Sequence, residues 1–206
     1  MRKHWTLRYL YDRTANRLYQ AFHRNDPWLT PASIRVLAGS LPFKGWGIEF
    51  GSGSSTLWLA KRVGRLISVE HNPEWYAKVK KAIEFYEVGN VDYHFAPREP
   101  EGSPDLPAYV RIVELVPDRE LDFALVDGIY RDLCVLAVLP KLRPGGFLVI
   151  DNVNRYLPSK SRAPSSRRPE DGPDGENWRL AAEGLAGWEV FWSSNGVFDT
   201  AIYYKP

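Results

Sequence analysis

A chain of 206 residues, 44% apolar and 25% charged, suits one compact domain with a sizeable core. The single Cys134 excludes an internal disulfide, and a formal charge of +2 is too small to argue for a nucleic-acid partner. No apolar run is long enough to span a bilayer, and Arg8, Asp12, Arg13 and Arg17 interrupt the apolar core that a cleaved signal would need. The expectation is a cytoplasmic protein with no membrane partner.

The stretch up to about Ser40 reads as helical and separate from the rest of the chain. Its second helix starts at Thr30-Pro31, Thr as N-cap and Pro at the first helical position, and ends at Leu41-Pro42. A regular alternation then begins. Trp46 to Phe50 is an apolar strand that runs into a Gly/Ser turn, and Ser55 to Val63 is a helix stopped by Gly64. Leu66 to Glu70 is a strand. Asn72-Pro73-Glu74 starts a helix whose Tyr76, Val79, Ile83 and Tyr86 recur at helical spacing. Val91 to Phe95 is a strand, followed by a Pro/Glu-rich loop over Ala96 to Leu106 and a helix from Ala108 to Val116. Leu121 to Val126 is a strand ending at Asp127-Gly128. A helix covers Arg131 to Leu142, Pro144-Gly145-Gly146 breaks it, and Phe147 to Ile150 is an apolar strand ending at Asp151-Asn152. Residues 154–176, rich in Pro, Ser, Arg and Gly, predict a long mobile loop. Trp188 to Trp192 and Thr200 to Tyr204 form a hairpin around Ser193 to Gly196. The pattern predicts an α/β fold: a doubly wound, mostly parallel seven-stranded sheet with an antiparallel C-terminal hairpin strand, plus N-terminal helices.

The chemistry concentrates at Glu49-Phe50-Gly51-Ser52-Gly53-Ser54-Ser55-Thr56, between a strand and a helix. Glycines at Gly51 and Gly53 let the backbone turn sharply and approach a ligand closely. A dinucleotide site begins in the same way, but Thr56 stands where that fingerprint needs its third glycine. Glu49 places a carboxylate before the turn, repulsive to a pyrophosphate and favourable to a ligand carrying an ammonium and a sulfonium. Glu70, at the end of the next strand, suits a pair of ribose hydroxyls.

Together with Val69-Glu70-His71-Asn72, Leu125-Val126-Asp127-Gly128 and Leu142-Arg143-Pro144-Gly145-Gly146, this turn resembles the ordered motifs of class I, Rossmann-like S-adenosylmethionine-dependent methyltransferases. The resemblance covers Trp46 to the C-terminus and implies S-adenosyl-L-methionine as cofactor. It divides the chain into an N-terminal helical cap segment, residues 1–42, and a methyltransferase domain, residues 43–206. By this resemblance Gly51, Ser52, Gly53 and Ser55 hold the methionine part, with Glu49 and Asp127 beside it. Glu70 holds the ribose, and His71, Ala96 and Pro97 border the adenine.

On the acceptor side Asp127, Arg131 and Asp151 are the candidate catalytic residues. Asp127 with Asp151 and Asn152 resembles the metal ligands of catechol and caffeoyl-coenzyme A type O-methyltransferases, which implies Mg²⁺. Those enzymes carry a Lys three residues after the first Asp, where this chain has Tyr130 followed by Arg131. An always-charged Arg is a poor base but can grip an acidic substrate. The plainer reading of Asp127 and Asp151 is helix capping, and Cys134 on an apolar helix face reads as buried packing. The expected reaction is methyl transfer to a hydroxyl of a small molecule or sugar, an anionic acceptor included, with homodimerisation allowed. An NAD-type oxidoreductase and a non-catalytic nucleoside-binding protein are the alternatives.

Overall fold

The computed structural model describes residues 5–100 and 106–206, so part of the expected Ala96–Leu106 loop lies outside the described residues. Seven strands form one sheet in the order β3-β2-β1-β4-β5-β7-β6. They are β1 (Trp46–Phe50), β2 (Arg65–Glu70), β3 (Val91–Phe95), β4 (Leu121–Val126), β5 (Leu142–Asp151), β6 (Glu189–Ser194) and β7 (Asp199–Tyr204). β1 to β5 pair in parallel, and β7 runs antiparallel between β5 and β6. The expected α/β architecture with a reversed C-terminal strand is the one observed. Central strands buried on both faces explain the continuous apolar runs in β1, β2, β4 and β5.

The helices are α1 (Leu7–Phe22), α2 (Pro31–Ser40), α3 (Ser54–Ala60), α4 (Pro73–Phe85), α5 (Ala108–Arg111), α6 (Arg131–Val138) and α7 (Glu176–Gly184). One face of the sheet is covered by α2 and α3, through Leu29, Ile34, Leu37, Trp58 and Leu59 on Leu66, Phe123, Leu125 and Val149. The other is covered by α5, α6 and α7, through Tyr109, Val110, Val135, Val138, Trp178 and Ala181.

The structure departs from the sequence reading in several details; α6, for one, ends at Val138 rather than Leu142. The helix from Ala108 tightens after one turn into a 3₁₀ segment at Ile112–Leu115. β5 starts at Leu142 rather than Phe147: Arg143 to Gly146 bulge out between the Leu121–Leu142 and Phe123–Phe147 partners. Gly145 there takes φ +76° and its N–H donates to Lys205, so the Pro-Gly-Gly run shapes the strand instead of ending it. At Thr30, the N-cap of α2, the hydroxyl makes no cap bond; it turns to Ser33 and Ser193 in the buried interior.

The 154–176 stretch carries two one-turn 3₁₀ segments, Val153–Arg155 and Pro169–Asp171. Asn154 donates to the Pro164 carbonyl and the Ser166 hydroxyl, Arg167 reaches Gly172, Asp171 and Asp174, and Leu157 and Ala163 are buried. Polar side chains thus satisfy the backbone of a segment that lacks helical or strand periodicity.

Candidate active site

β1 and β4 are the strands at which the sheet order reverses, and in open α/β sheets ligands bind where strand ends diverge. A cavity of about 500 Å³ opens there, lined by Gly51, Ser52, Glu70, His71, Asp127 and Gly128 and roofed by Asn72, Glu74, Trp75 and Lys78 from the start of α4. The two turns that form its floor interlock. Gly51 has φ +98°, and a side chain there would lie 2.7 Å from the Gly128 Cα. A side chain on Gly128 would lie 1.9 Å from the Tyr109 hydroxyl and 3.0 Å from the Gly51 nitrogen. Only bare backbone fits at either point.

Glu49 lies under this floor, fully buried. Its Oε2 accepts the hydroxyls of Thr56 (2.6 Å) and Ser68 (2.7 Å), and Thr56 in turn accepts the Gly53 N–H at 3.0 Å. The residue that displaces the dinucleotide glycine is therefore the link between carboxyl and turn. Glu49 Oε1 makes no hydrogen bond of good geometry, although the Ser55 hydroxyl lies close enough to the carboxyl to act on it. Burial pushes the carboxyl up to about 7, against the lowering effect of Ser55, Thr56 and Ser68. A carboxyl so placed is partly neutral near pH 7, and a cation close by would favour its charged form.

Glu70, nearly buried at the end of β2, accepts from both edges of the cavity. Oε2 takes the Ser52 N–H (3.1 Å) and hydroxyl (3.0 Å), and Oε1 takes the N–H groups of His71 (2.9 Å) and Asn72 (2.8 Å). His71 Nδ1 lies 3.0 Å from the same Oε1. The Ser52 hydroxyl, also 2.7 Å from Tyr93 Oη, occupies one face of the Glu70 carboxylate.

Asp127 and Asp151 stand at the ends of neighbouring strands, and Arg131, the first residue of α6, ties the two ends together. Its Nη2 donates to the Asp127 carboxylate (2.9 Å) and carbonyl (2.6 Å), its Nε to Gly128 O (2.9 Å), and its Nη1 to Asp151 O. Four contacts within the chain make it a brace rather than a free hand for substrate. Asp151 is almost fully buried, accepting from Thr200 at 2.7 Å and from the Asn152 amide. Burial, then repulsion from Asp127, pushes Asp151 well above the carboxylate range. Burial also raises Asp127, but the Arg131 guanidinium opposes it. Of the two carboxyls Asp151 is pushed up the further, so a proton shared by the pair is favoured on Asp151 and the negative charge on Asp127, beside Arg131 and on the cavity wall. Tyr130 and Asn152, close behind these two strand ends, both hold left-handed backbone, φ 49° and 54°.

The Asp127, Asp151 and Asn152 set does not fit a divalent cation. The guanidinium of Arg131 bridges the two strand ends, and Asn152 turns its amide nitrogen toward Asp151. Among the described residues no three or more His, Cys, Asp or Glu side chains are grouped to hold a metal.

Of the remaining sequence candidates, Ser52 and His71 line the main cavity, while Gly53 and Ser55 line an adjoining slot of about 300 Å³ behind Trp75. Ala96 is buried behind the Glu70 carbonyl and Pro97 is exposed; neither lines the cavity. Sequence reasoning missed Trp75, Tyr93 and Tyr109. Trp75 Nε1 donates to the Ser52 carbonyl at 2.7 Å and so holds the turn from above. The Tyr109 hydroxyl is buried against Gly128 with no partner. None of the three carries a local signal, because each acts on a residue far from it in sequence.

No protein-family model matches the chain, and no curated protein is similar to it in sequence. Solved structures match it in fold. A methyltransferase-like protein from Silicibacter pomeroyi DSS-3 is 21% identical with a TM-score of 0.56, over 86% of this chain and 87% of that one. A putative methyltransferase from Streptococcus mutans, in complex with SAH, is 13% identical with a TM-score of 0.54, over 85% and 96%. An rRNA methylase from Streptococcus thermophilus is 13% identical with a TM-score of 0.54, over 84% and 94%. At these identities the likeness is one of fold: the chain has an α/β, Rossmann-like fold, which it shares with these methyltransferases. The narrower resemblance to catechol and caffeoyl-coenzyme A type enzymes gains no support from these neighbours.

Proposed function

We propose that the chain is an S-adenosylmethionine-dependent methyltransferase acting on a hydroxyl of a small molecule or sugar. The observation that carries this reading is Glu49, a fully buried carboxyl linked through Thr56 to the glycine turn beneath the cavity, with one oxygen that makes no hydrogen bond of good geometry. A cationic nucleoside laid over that turn is attracted, and a diphosphate is repelled. The bare Gly51–Gly128 floor admits close approach, and Glu70 with Ser52 supplies hydrogen-bonding groups on the wall of the same cavity. These features fit S-adenosylmethionine, which when bound supplies a methyl group on a positively charged sulfur and hence a good leaving group.

The chain's own residues then have two tasks. One is positioning, worth up to about 7–11 kcal/mol of barrier in well-oriented reactions. Gly51 and Gly128, with Trp75 holding Ser52, fix the turn, and Arg131 fixes the two strand ends relative to one another. The other is removal of the acceptor's proton. The Asp127 oxygen not held by Arg131 is the group available to take it, and the protonated Asp151 behind it keeps the site from carrying two charges.

Titration with S-adenosylhomocysteine and NADH tests the cofactor. Binding of the homocysteine nucleoside, weakened at least tenfold by Glu49→Gln, supports the reading; NADH binding alone removes it. Methyl-labelled cofactor with hydroxylated small molecules, sugars and RNA tests the acceptor. Label entering RNA would remove the small-molecule acceptor, and label found on a base would remove the hydroxyl as well, while methyl transfer stands in either case.

A further inference from the structure

Helix α1 has no buried residue, yet it is strongly two-sided. It touches the body through one edge, where Asn16 accepts from Asn195, Asp12 lies against Gly196, and Tyr19 packs beside the α2 core. The opposite side carries Leu7, Tyr11, Leu18 and Phe22, exposed by 88, 74, 55 and 82%. Spacings of four, seven and four residues bring these onto one stripe. Contiguous exposed apolar stripes of this length mark interaction surfaces.

The flanking charges say which. Arg8 and Arg17 border the stripe, with Arg13 and Arg24 further round the same segment, and Asp12 is the one acidic residue between Leu7 and Arg24. Arg8 lies 3.8 Å from Asp12, whereas no described carboxylate pairs with Arg13, Arg17 or Arg24. A second copy of α1 laid on this face would bring arginines toward arginines. A nucleic acid would satisfy the charges but give Leu7, Leu18 and Phe22 nothing to bury against. An anionic lipid surface satisfies both: apolar side chains enter the acyl boundary while the guanidinium groups reach headgroups.

We infer that α1 is an interfacial helix that docks the protein on anionic membranes, lying in the headgroup plane and not crossing it. No described helix is long and apolar enough to cross a membrane, so the inference revises the expectation of no membrane partner without implying a span. Arg24 and Trp28, just past the end of α1, line the slot beside the glycine turn, so docking sets the mouth of the candidate active site near the lipid surface. The inference stands whether or not the chain transfers methyl groups.

The test is co-sedimentation of the full chain with vesicles of phosphatidylglycerol and phosphatidylcholine mixed, against phosphatidylcholine alone. Binding to the mixed vesicles, reduced by salt and weakened about tenfold or more in a Leu7→Ser/Leu18→Ser/Phe22→Ser variant, is the expected result. Arg13→Gln/Arg17→Gln should weaken it as well. All five side chains leave the buried core intact, and an unchanged thermal midpoint verifies folding. No binding to mixed vesicles, or binding that the triple variant leaves unaltered, overturns the inference. So does a dimer in sedimentation equilibrium that the triple variant dissolves without any lipid binding in the wild type.

Discussion

Glu49 sets the pH behaviour of the free protein at the residue scale. Its folded-state carboxyl titrates near 7, against 4.5 unperturbed, because burial disfavours the charge. A group raised on folding contributes stability that is full below its unfolded value and is lost as pH rises through its folded one. The free protein should therefore lose stability between about pH 4.5 and 7 on account of this group. Glu49→Gln removes that dependence and should make the ligand-free protein more stable at pH 8 by about 1–3 kcal/mol, read from denaturant titration. A cationic ligand has the opposite preference, so wild-type affinity for S-adenosylmethionine should rise from pH 5.5 to pH 8 by calorimetry, and the variant should show less of that rise. Asp127 is tested differently. Asp127→Asn keeps three of the Arg131 contacts, so S-adenosylhomocysteine affinity should stay within a few-fold while turnover falls by about 10²–10⁴. Equal losses in both would make Asp127 a binding residue only.

Elements meet at the Gly51–Gly128 contact, where the β1 turn, the β4 turn and α5 share one small volume. Gly128→Ala drives a methyl group into the Tyr109 hydroxyl and should cost about 1–3 kcal/mol. Tyr109→Phe deletes a buried hydroxyl without a protein partner, so alone it should be neutral or stabilising in the free protein. In the double variant the ring carbon still lies 3.0 Å away, so part of the loss returns. A double-mutant cycle in urea should show coupling of about 0.5 kcal/mol or more; strict additivity would mean that α5 yields freely. The contrast shows what the sequence could disclose. Strands buried on both faces advertise themselves as apolar runs, and Asn72-Pro73-Glu74 advertises a helix start, because both causes are local. The turn residues were legible for the same reason. The partners of the turn were not, since Tyr109 and Trp75 reach it only through the tertiary fold. Helix α7 also escaped: it opens on Gly175 with no side-chain cap and buries only Trp178 and Ala181. Pro144-Gly145-Gly146 misled by carrying break chemistry that the sheet uses as a bulge.

Over the whole molecule, the two N-terminal helices differ in what they hold. Leu37 of α2 is 1% exposed in the core against the sheet, so Leu37→Ala should cost about 2–5 kcal/mol. Leu18→Ala on α1 should change stability by no more than about 0.5 kcal/mol, and chemical denaturation distinguishes the two directly. The same N-terminal segment also reaches Asp151, beside the candidate site, through a buried polar chain. The Thr30 N–H donates to Thr200 Oγ1 at 3.1 Å, and Thr200 donates to Asp151 at 2.7 Å. Beside it, Ser33 and Ser193 lie 2.7 Å apart, both buried. Thr200→Val keeps the shape and removes the middle of this chain. It leaves the Thr30 N–H without its acceptor and withdraws a bond that favours ionised Asp151, so stability should fall by about 1–3 kcal/mol. Asp151 should hold its proton more firmly still, and with Asp127 relieved of competition the pH at which turnover reaches half its maximum should move down, not up. An upward shift in the pH–rate profile would place the shared proton on Asp127 and reverse the roles of the two carboxyls.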